Sequence, residues 1–472
     1  MSLFVYRTVF KKGFESLNQV SQQLKQELIK RYGHEPRLFI RTYGCQQNVA
    51  DSERIRGLLE MSGCVTVSSE TDADIILFNT CAVRGHAEDR IFGNIGNLKA
   101  IKKDRPEVLI AIGGCMVHQE KVAQELFSHY PYVDVIFNTN NIHSIPEILY
   151  EAVRTGRRSM NPSCSEFTLN EDIPASRDNS ICRAFIPIMY GCDNFCSYCI
   201  VPYVRGRERS RQPSAVLQEF RSCVSEGYKD IMLLGQNVNS YGKGLDCGTS
   251  FPDLLDLLLK TEGDYWIRFI SSNPNDATGA LFDTMAKSDR IARHIHLAVQ
   301  SGSDRILKEM NRHYTVDEYL SILDYAHRTV PDLFFTSDII VGFPGETEED
   351  FLKTVELLRK ARFYAIFSFI YSKREGTRAA VMPDDTPHKL KAERLNYLNE
   401  VQRQISEELE LGLIGTRQKA LCLGPFKGGM YEYRLSNNAE VTVDAPGVRN
   451  EFYTIEITDY LNRRLYGKGI KD

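Results

Sequence analysis

The sequence predicts an α/β protein in three parts: an N-terminal doubly wound parallel-sheet domain, a central partial (β/α)6 barrel, and a small C-terminal all-β barrel. Three observations carry this. Apolar strand-like runs alternate with helix-period segments over residues 36–155, a second series of six such units fills 182–414, and past Thr416 the helical period gives way to short alternating runs. The chain has 472 residues, too many for one hydrophobic core, so several domains are expected.

An amphipathic helix is expected over SLNQVSQQLKQELIKRYG in an N-terminal extension, residues 1–35. The first domain follows, with strands LFIRTYGC (38–45), DIILFNTC (74–81), VLIAIGGC (108–115) and VDVIFNTN (133–140) separated by helices such as AEDRIFGNIGNLKAIKK. Strands alternating with helices in this way form parallel sheets covered on both faces. Residues 156–181, polar and turn-rich without a sustained period, read as a linker. The central series has strands AFIPIMYG, KDIMLLGQN, WIRFISSNP, HIHLAVQSG, FFTSDIIVGFP and FYAIFSFIYS, six where a complete (β/α) barrel has eight. A long charged helix, roughly His388 to Leu411, closes it, and strands QKALCLG, AEVTVDA and FYTIEIT mark a C-terminal module over 415–472.

Apolar residues make up 42% and charged residues 25%, which excludes a chain disordered throughout. No apolar run is long enough to cross a membrane, and the first residues lack the pattern of an export signal, so a cytoplasmic, reducing setting is expected. In that setting twelve cysteines point to metal ligation or catalysis and away from a disulfide framework. The net charge of −4 gives no global attraction to nucleic acid, so any such binding must come from local patches.

The segment IPIMYGCDNFCSYCIVPYVRGRERSR places Cys192, Cys196 and Cys199 in a C-x-x-x-C-x-x-C pattern after the first central strand. Three thiolates this close suit three irons of a 4Fe–4S cube and leave the fourth iron open to chelate a small molecule. The alternative, a zinc knuckle, usually needs four ligands in paired blocks. A second trio is dispersed: Cys45, Cys81 and Cys115 each end a strand of the first domain, so a parallel sheet would bring them to one edge. They too match a cube with one open iron, whereas buried core cysteines would be the bland reading. Cys64, Cys164, Cys182, Cys223, Cys247 and Cys422 lack partner spacing and read as structural. Gln236, Asn237, Gln300 and Ser301 end central strands, where polar groups either hold a nucleoside or bond the local backbone. Arg205, Arg207, Arg209 and Arg211 form a positive run suited to phosphate or carboxylate.

From about Leu38 onward, TYGCQQN, NTCAVR, GGCM, MYGCDNFCSYCIVPYVRGRERSR, LLGQNVNSYG, MNRHYT and DIIVGFPGETEEDF resemble blocks of the radical S-adenosylmethionine methylthiotransferases. GCQQN and CSYCIVPYVRGRERSR look most like the MiaB-type tRNA enzymes of that family; the ribosomal-protein-modifying relatives usually read GCPKN. The resemblance implies a radical SAM barrel, a TRAM-like C-terminal module that binds RNA, two 4Fe–4S clusters and S-adenosylmethionine. It implies a tRNA substrate methylthiolated at carbon 2 of an isopentenyl adenosine beside the anticodon, an external electron donor, and a monomer without membrane attachment; the sulfur donor is left open. Within it, Cys192, Cys196 and Cys199 would generate the radical, and Cys45, Cys81 and Cys115 would carry the sulfur. Tyr198 resembles the aromatic near the adenine of S-adenosylmethionine, and Arg205, Arg207 and Arg209 lie near cofactor and RNA. The chain departs from the usual blocks at Ala298, Asn273 and Gly85, none of them a cluster ligand. Two rivals stay open: a methylthiotransferase acting on protein or on another adenosine, and an iron–sulfur electron carrier or RNA-binding regulator.

Overall fold

The computed structural model describes residues 2–82, 85–161, 173–177 and 182–470, so Cys164, most of the expected linker and Lys471 lie outside the described residues. The chain divides into two compact units, residues 1–178 with 203–206, and 179–202 with 207–472. Among the described residues no helix is long and apolar enough to cross a membrane.

The first unit contains α1 (Ser2–Tyr32), β1 (Arg37–Thr42), α2 (Gln46–Met61), β2 (Val65–Thr66), β3 (Ile75–Thr80), α3 (Gly85–Asp104), β4 (Leu109–Gly114), α4 (Glu120–His129), β5 (Val135–Phe137), α5 (Ile145–Thr155) and β6 (Ser159–Asn161). The six strands form one parallel sheet in the order β2-β1-β3-β4-β5-β6. Alternate residues feed two cores, Ile75, Leu77, Leu109 and Val135 on one face and Ile76, Phe78, Ile110 and Ile136 on the other. This is why the strands read as continuous apolar runs. Leu24 and Leu28 of α1 join the first core, so the N-terminal helix is part of the packed unit.

The second unit starts with β7 (Ala184–Pro187) and β8 (Met189–Tyr190), and α6 (Val201–Arg205) carries the chain across to the first unit. There follow β9 (Arg209–Ser210), α7 (Pro213–Ser225), β10 (Asp230–Leu234), α8 (Phe251–Leu258), β11 (Trp266–Phe269), α9 (Gly279–Ala286), β12 (His294–His296), α10 (Asp304–Glu309), α11 (Val316–Thr329), β13 (Phe334–Val341), α12 (Glu348–Ala361), β14 (Ala365–Ile370) and α13 (His388–Leu411). Parallel sheets β7-β10-β11 and β12-β13-β14 are joined by a bridge between Ser272 and Leu297, giving six barrel strands in chain order. Their outward residues, among them Ile186, Ile231, Ile267, Ile295 and Ile339, share one core with the surrounding helices.

A closed barrel of β15 (Arg417–Pro425), β16 (Tyr431–Leu435), β17 (Glu440–Val443), β18 (Phe452–Leu461) and β19 (Arg464–Gly469) completes this unit, in the order β15-β16-β17-β19-β18. It docks on the lower, N-terminal ends of the partial barrel's strands. Asp230 is fully buried and receives Arg183 at 2.6 Å, Arg268 at 2.8 Å and Arg434 at 3.7 Å. Arg268 also donates to the carbonyls of Leu435 and Ser436 at 2.9 and 2.8 Å. Burial alone would push the Asp230 carboxyl up, but Arg183, Arg268 and Arg434 outweigh it and hold it below the usual range.

Candidate metal centres

The register of the first sheet sets the first site. Thr80 at the end of β3 pairs with Gly114 at the end of β4, so Cys81 and Cys115 leave the same sheet edge side by side. Thr42 of β1 pairs with Asn79, and Cys45 follows as the residue preceding the first turn of α2. Gly44 has φ +118°, and a Cβ there would lie 2.5 Å from the Cβ of Cys81 and 2.9 Å from its sulfur, so only glycine permits this approach. Gly114, at φ +111°, meets the Thr80 carbonyl in the same way at 2.2 Å.

Asn48 locks the loops together. Its Nδ2 donates to Thr80 O at 3.0 Å, Asn79 Nδ2 returns a bond to Asn48 O at 2.8 Å, and the Cys45 thiol donates to Asn48 Oδ1 at 3.3 Å. Burial pushes the Cys115 thiol up to about 12; Arg205 opposes this, and Cys81 and Cys45 add to it. Arg205 belongs to the first unit and donates from Nη2 to Asp51 Oδ2 at 2.9 Å, both side chains buried. Its guanidinium is thus engaged by a carboxylate of the protein itself. Asp51 in turn accepts from Gln47 Nε2 at 3.2 Å.

The second trio sits on the loop from β8 to α6. Gln236 accepts from Gly191 N at 2.5 Å and fixes the entry to this loop. Asn194 donates to Cys192 Sγ at 3.3 Å, and buried Arg312 donates to Cys196 Sγ at 3.4 Å and to Tyr314 Oη at 2.8 Å. Asn311 holds the carbonyls of Asn194 and Phe195 at 3.2 and 3.1 Å, and Ser197 N donates to Met310 O at 3.0 Å. Phe195, at φ +44°, marks the tight bend between the first two cysteines. Burial raises the thiols of Cys192 and Cys199 to about 11 and about 12. Tyr198 packs against the buried cluster of Ile306, Met310, Phe343 and Ala379.

The remaining expected site residues divide by what they touch. Asn237 donates to Asp276 at 2.6 Å and accepts from Asn273 N at 3.1 Å; Ser301 is fully buried and accepts from Ser303 N at 3.3 Å. Both spend polar atoms on the fold. Gln300 is buried at φ +72°, where its backbone bonds Asp338 and Ile340 of β13. Arg207 is exposed, pairs with Asp193 at 3.0 Å and stacks 5.2 Å from the Phe195 ring. Arg209 is half-buried opposite Tyr190, and burial lowers its guanidinium to about 10. Arg211 is buried on Glu219 and the Pro187 carbonyl.

Sequence reading missed Arg312, Asn194, Asn48 and Asp51. Arg312 lies in MNRHYT and Asp51 three residues past TYGCQQN, but their contacts are made across the fold and leave no local spacing signal. The described cysteines are free thiols. Among the described residues no three His, Cys, Asp or Glu side chains close round a single metal ion. Thiolates that each take a separate iron of a cube stand wider apart than the ligands of one ion, so an all-thiol trio without a fourth cysteine fits a cluster better than zinc. The N–H donors aimed at Cys192 and Cys196 suit anionic sulfur.

Residues 186–358 match the Radical SAM superfamily and residues 37–138 match the Uncharacterized protein family UPF0004. Each trio falls inside one of these regions, and the superfamily implies a 4Fe–4S cluster and S-adenosylmethionine. Among solved structures, the radical S-adenosylmethionine methyltransferase TsrM from Kitasatospora setae aligns with TM-score 0.55 at 13% identity, covering 74% of this chain and 75% of that one. The cobalamin-dependent radical enzyme OxsB aligns with TM-score 0.54 at 13% identity over 78% of this chain and 56% of that one. These likenesses show the fold alone. The tRNA-2-methylthio-N(6)-dimethylallyladenosine synthase of Caldicellulosiruptor saccharolyticus is 43% identical over 451 residues, 95% of this chain and 96% of that protein. The protein of the same name from Carboxydothermus hydrogenoformans is 47% identical over 389 residues, 82% of this chain and 88% of that one. At that identity over nearly the whole length, the chain belongs to the family of tRNA-2-methylthio-N(6)-dimethylallyladenosine synthases.

Proposed function

We propose that this chain adds a methylthio group to carbon 2 of an N6-dimethylallyl adenosine beside the tRNA anticodon. The observation that carries the reading is the pair of separate cysteine trios, each on its own sheet or barrel and each inside its own matched region. Cys192, Cys196 and Cys199 would hold a 4Fe–4S cube that supplies the electron for cleaving S-adenosylmethionine to a radical able to take the carbon-2 hydrogen, and Cys45, Cys81 and Cys115 would hold one that carries the sulfur, its methyl group coming from a second S-adenosylmethionine. A ring carbon–hydrogen bond has no useful acidity, so acid–base chemistry would not reach it.

The chain's own residues position and shield this chemistry. Asn194 and Arg312 donate to two thiolates and limit the charge on the barrel ligands. We assign contact with S-adenosylmethionine to Tyr198 and Gln300, with Gln236, Asn237 and Ser301 holding the loops around them. Arg207, exposed beside the cysteine loop, is the arginine of the run free to meet an RNA phosphate in exchange for Asp193. Arg205 places positive charge beside the first trio. An external one-electron donor, a monomeric state and a cytoplasmic location complete the reading.

The test is an anaerobic reaction of the reconstituted full chain with S-adenosylmethionine, dithionite and a prenylated anticodon stem-loop, read by nucleoside mass spectrometry. A methylthiolated nucleoside together with 5′-deoxyadenosine is expected. 5′-Deoxyadenosine with unchanged RNA would overturn the sulfur transfer, and neither product would overturn the radical assignment.

A further inference from the structure

The parallel sheet of the first unit brings one cysteine to its edge from each of β1, β3 and β4, and a fourth strand ends beside them. Strands β4 and β5 pair at Ala111 with Val135 and at Ile112 with Ile136. Counted onward in register, Cys115 falls level with Thr139, and Asn140 comes next. The sequence echoes itself at this edge. Strand β3 runs out as Phe78, Asn79, Thr80, Cys81, and β5 as Phe137, Asn138, Thr139, Asn140. Only the last position differs: where β3 offers a thiol, β5 offers an amide.

Asn140 is 7% exposed. Its Nδ2 lies 3.0 Å from Nε2 of His118, three residues past Cys115, and its backbone N–H donates to Asn138 Oδ1 at 2.8 Å. Among the described residues its side-chain Oδ1 is buried and meets no partner. The charge of Arg205 bears on Cys115 and on His118 alike, which places the partner of this amide beside the trio. All of these groups belong to the first unit. The neighbouring carboxylate is already engaged, since Asp51 accepts from both Arg205 and Gln47. A buried amide oxygen left without a hydrogen bond is costly, and such a group in a folded protein calls for a partner.

Resting on the assignment of a cube to Cys45, Cys81 and Cys115, we propose that Asn140 is an exchangeable oxygen ligand for the iron those thiolates leave open. Three thiolates hold three irons permanently, and a fourth cysteine would close the cube. An amide oxygen is neutral and hard, so it holds iron weakly and yields to a softer sulfur ligand. The corner is thereby kept occupied while no sulfur is loaded, and it opens without moving a strand. A thiolate at residue 140 would hold the iron too firmly for that exchange.

The test reads iron loss and needs no turnover. The full-length chain with Cys192, Cys196 and Cys199 changed to alanine carries the first-unit cube alone. In its 2+ state a 4Fe–4S cube gives one electron to ferricyanide, releases one ferrous ion and becomes a 3Fe–4S cluster in its 1+ state, which has its own EPR signal. Asn140→Ala should speed this conversion about tenfold or more, the scale on which metal sites weaken when one supporting partner is lost. Asn140→Cys should abolish it, and Asn140→Asp, which keeps the oxygen and adds charge, should slow it. Equal conversion in the parent and in Asn140→Cys, with cluster present in both, would overturn the proposal. So would an Asn140→Ala protein that converts like the parent beside a faster Gln47→Ala, since Gln47 Oε1 is also buried without a partner among the described residues. If Asn140→Ala holds no cluster, the aspartate and cysteine variants decide the matter. A parent that takes up no iron on this trio would overturn the functional reading itself.

Discussion

Replacing Asp230 by asparagine removes the carboxylate on which Arg183, Arg268 and Arg434 converge. Arg268 is 1% exposed and cannot regain water, so it would keep its two carbonyl bonds and lose its counter-charge. Breaking a buried ion pair from one side costs about 3–5 kcal/mol; asparagine keeps an acceptor, which favours about 3 kcal/mol. At roughly 2–4 °C per kcal/mol for large domains, the second unit should melt about 6–12 °C earlier. Asp264→Asn, which breaks the half-exposed pair with Lys419, should cost no more than about 1 kcal/mol. The assay is thermal unfolding of the full chain by circular dichroism, with hydrogen exchange read at residues 435–437, where the C-terminal barrel meets Arg268. The pH dependence has a definite sign. The folded carboxyl lies below its unfolded value, so its stabilisation is full above the ordinary carboxylate range and fades as pH falls through the folded value. A melting point within about 2 °C of wild type with unchanged exchange would refute the reasoning.

Three further outcomes are expected. A Cys45→Ala/Cys81→Ala/Cys115→Ala protein should hold about half of the roughly eight irons of the reconstituted wild type and still form 5′-deoxyadenosine, whereas alanine at Cys192, Cys196 or Cys199 should abolish it; iron assay and chromatography read both. Arg312→Met removes a positive donor from Cys196 Sγ and should move the barrel cluster to a more negative potential in an EPR-monitored titration, with no shift telling against the contact. Lys427→Glu and Arg463→Glu, both exposed on the C-terminal barrel, should weaken tRNA binding and each lower the salt slope by about 1, as a filter-binding series at varied salt would show.

That last choice of residues reflects what the sequence alone could not show. By composition the C-terminal module reads as a basic patch, with Arg417, Lys419, Arg434, Arg464 and Lys468 among its cations. Folded, these pair with Glu456, Asp264, Asp230 and Glu440, Glu432, and Glu456 respectively. Charge counting sees the cation and misses an acid brought to it by the fold. Strands β16 and β19 went unread for a related reason. They are five and six residues long and are defined by closure, including the parallel pairing of Val441 with Leu465. The convergence of Cys45, Cys81 and Cys115 was legible because each follows an apolar strand, and strand ends in a parallel sheet share an edge; the other trio was legible from its spacing. The helix from His388 to Leu411 was legible in its approximate extent, since it is long, charged and preceded by proline.

The brief passage of residues 203–206 into the first unit bears on how this protein can be taken apart. A cut in the segment around residues 156–181 looks like a clean separation by sequence. Yet the fragment ending there would keep Asp51, 1% exposed, and lose the Arg205 that neutralises it. Such a fragment would leave a desolvated carboxylate beside Cys45, Cys81 and Cys115 without its counter-charge and would need a substitute cation to fold as it does in the whole chain. The first unit is thus discontinuous along the chain, and a fragment meant to reproduce it has to include Arg205 of α6, which follows the other trio in sequence.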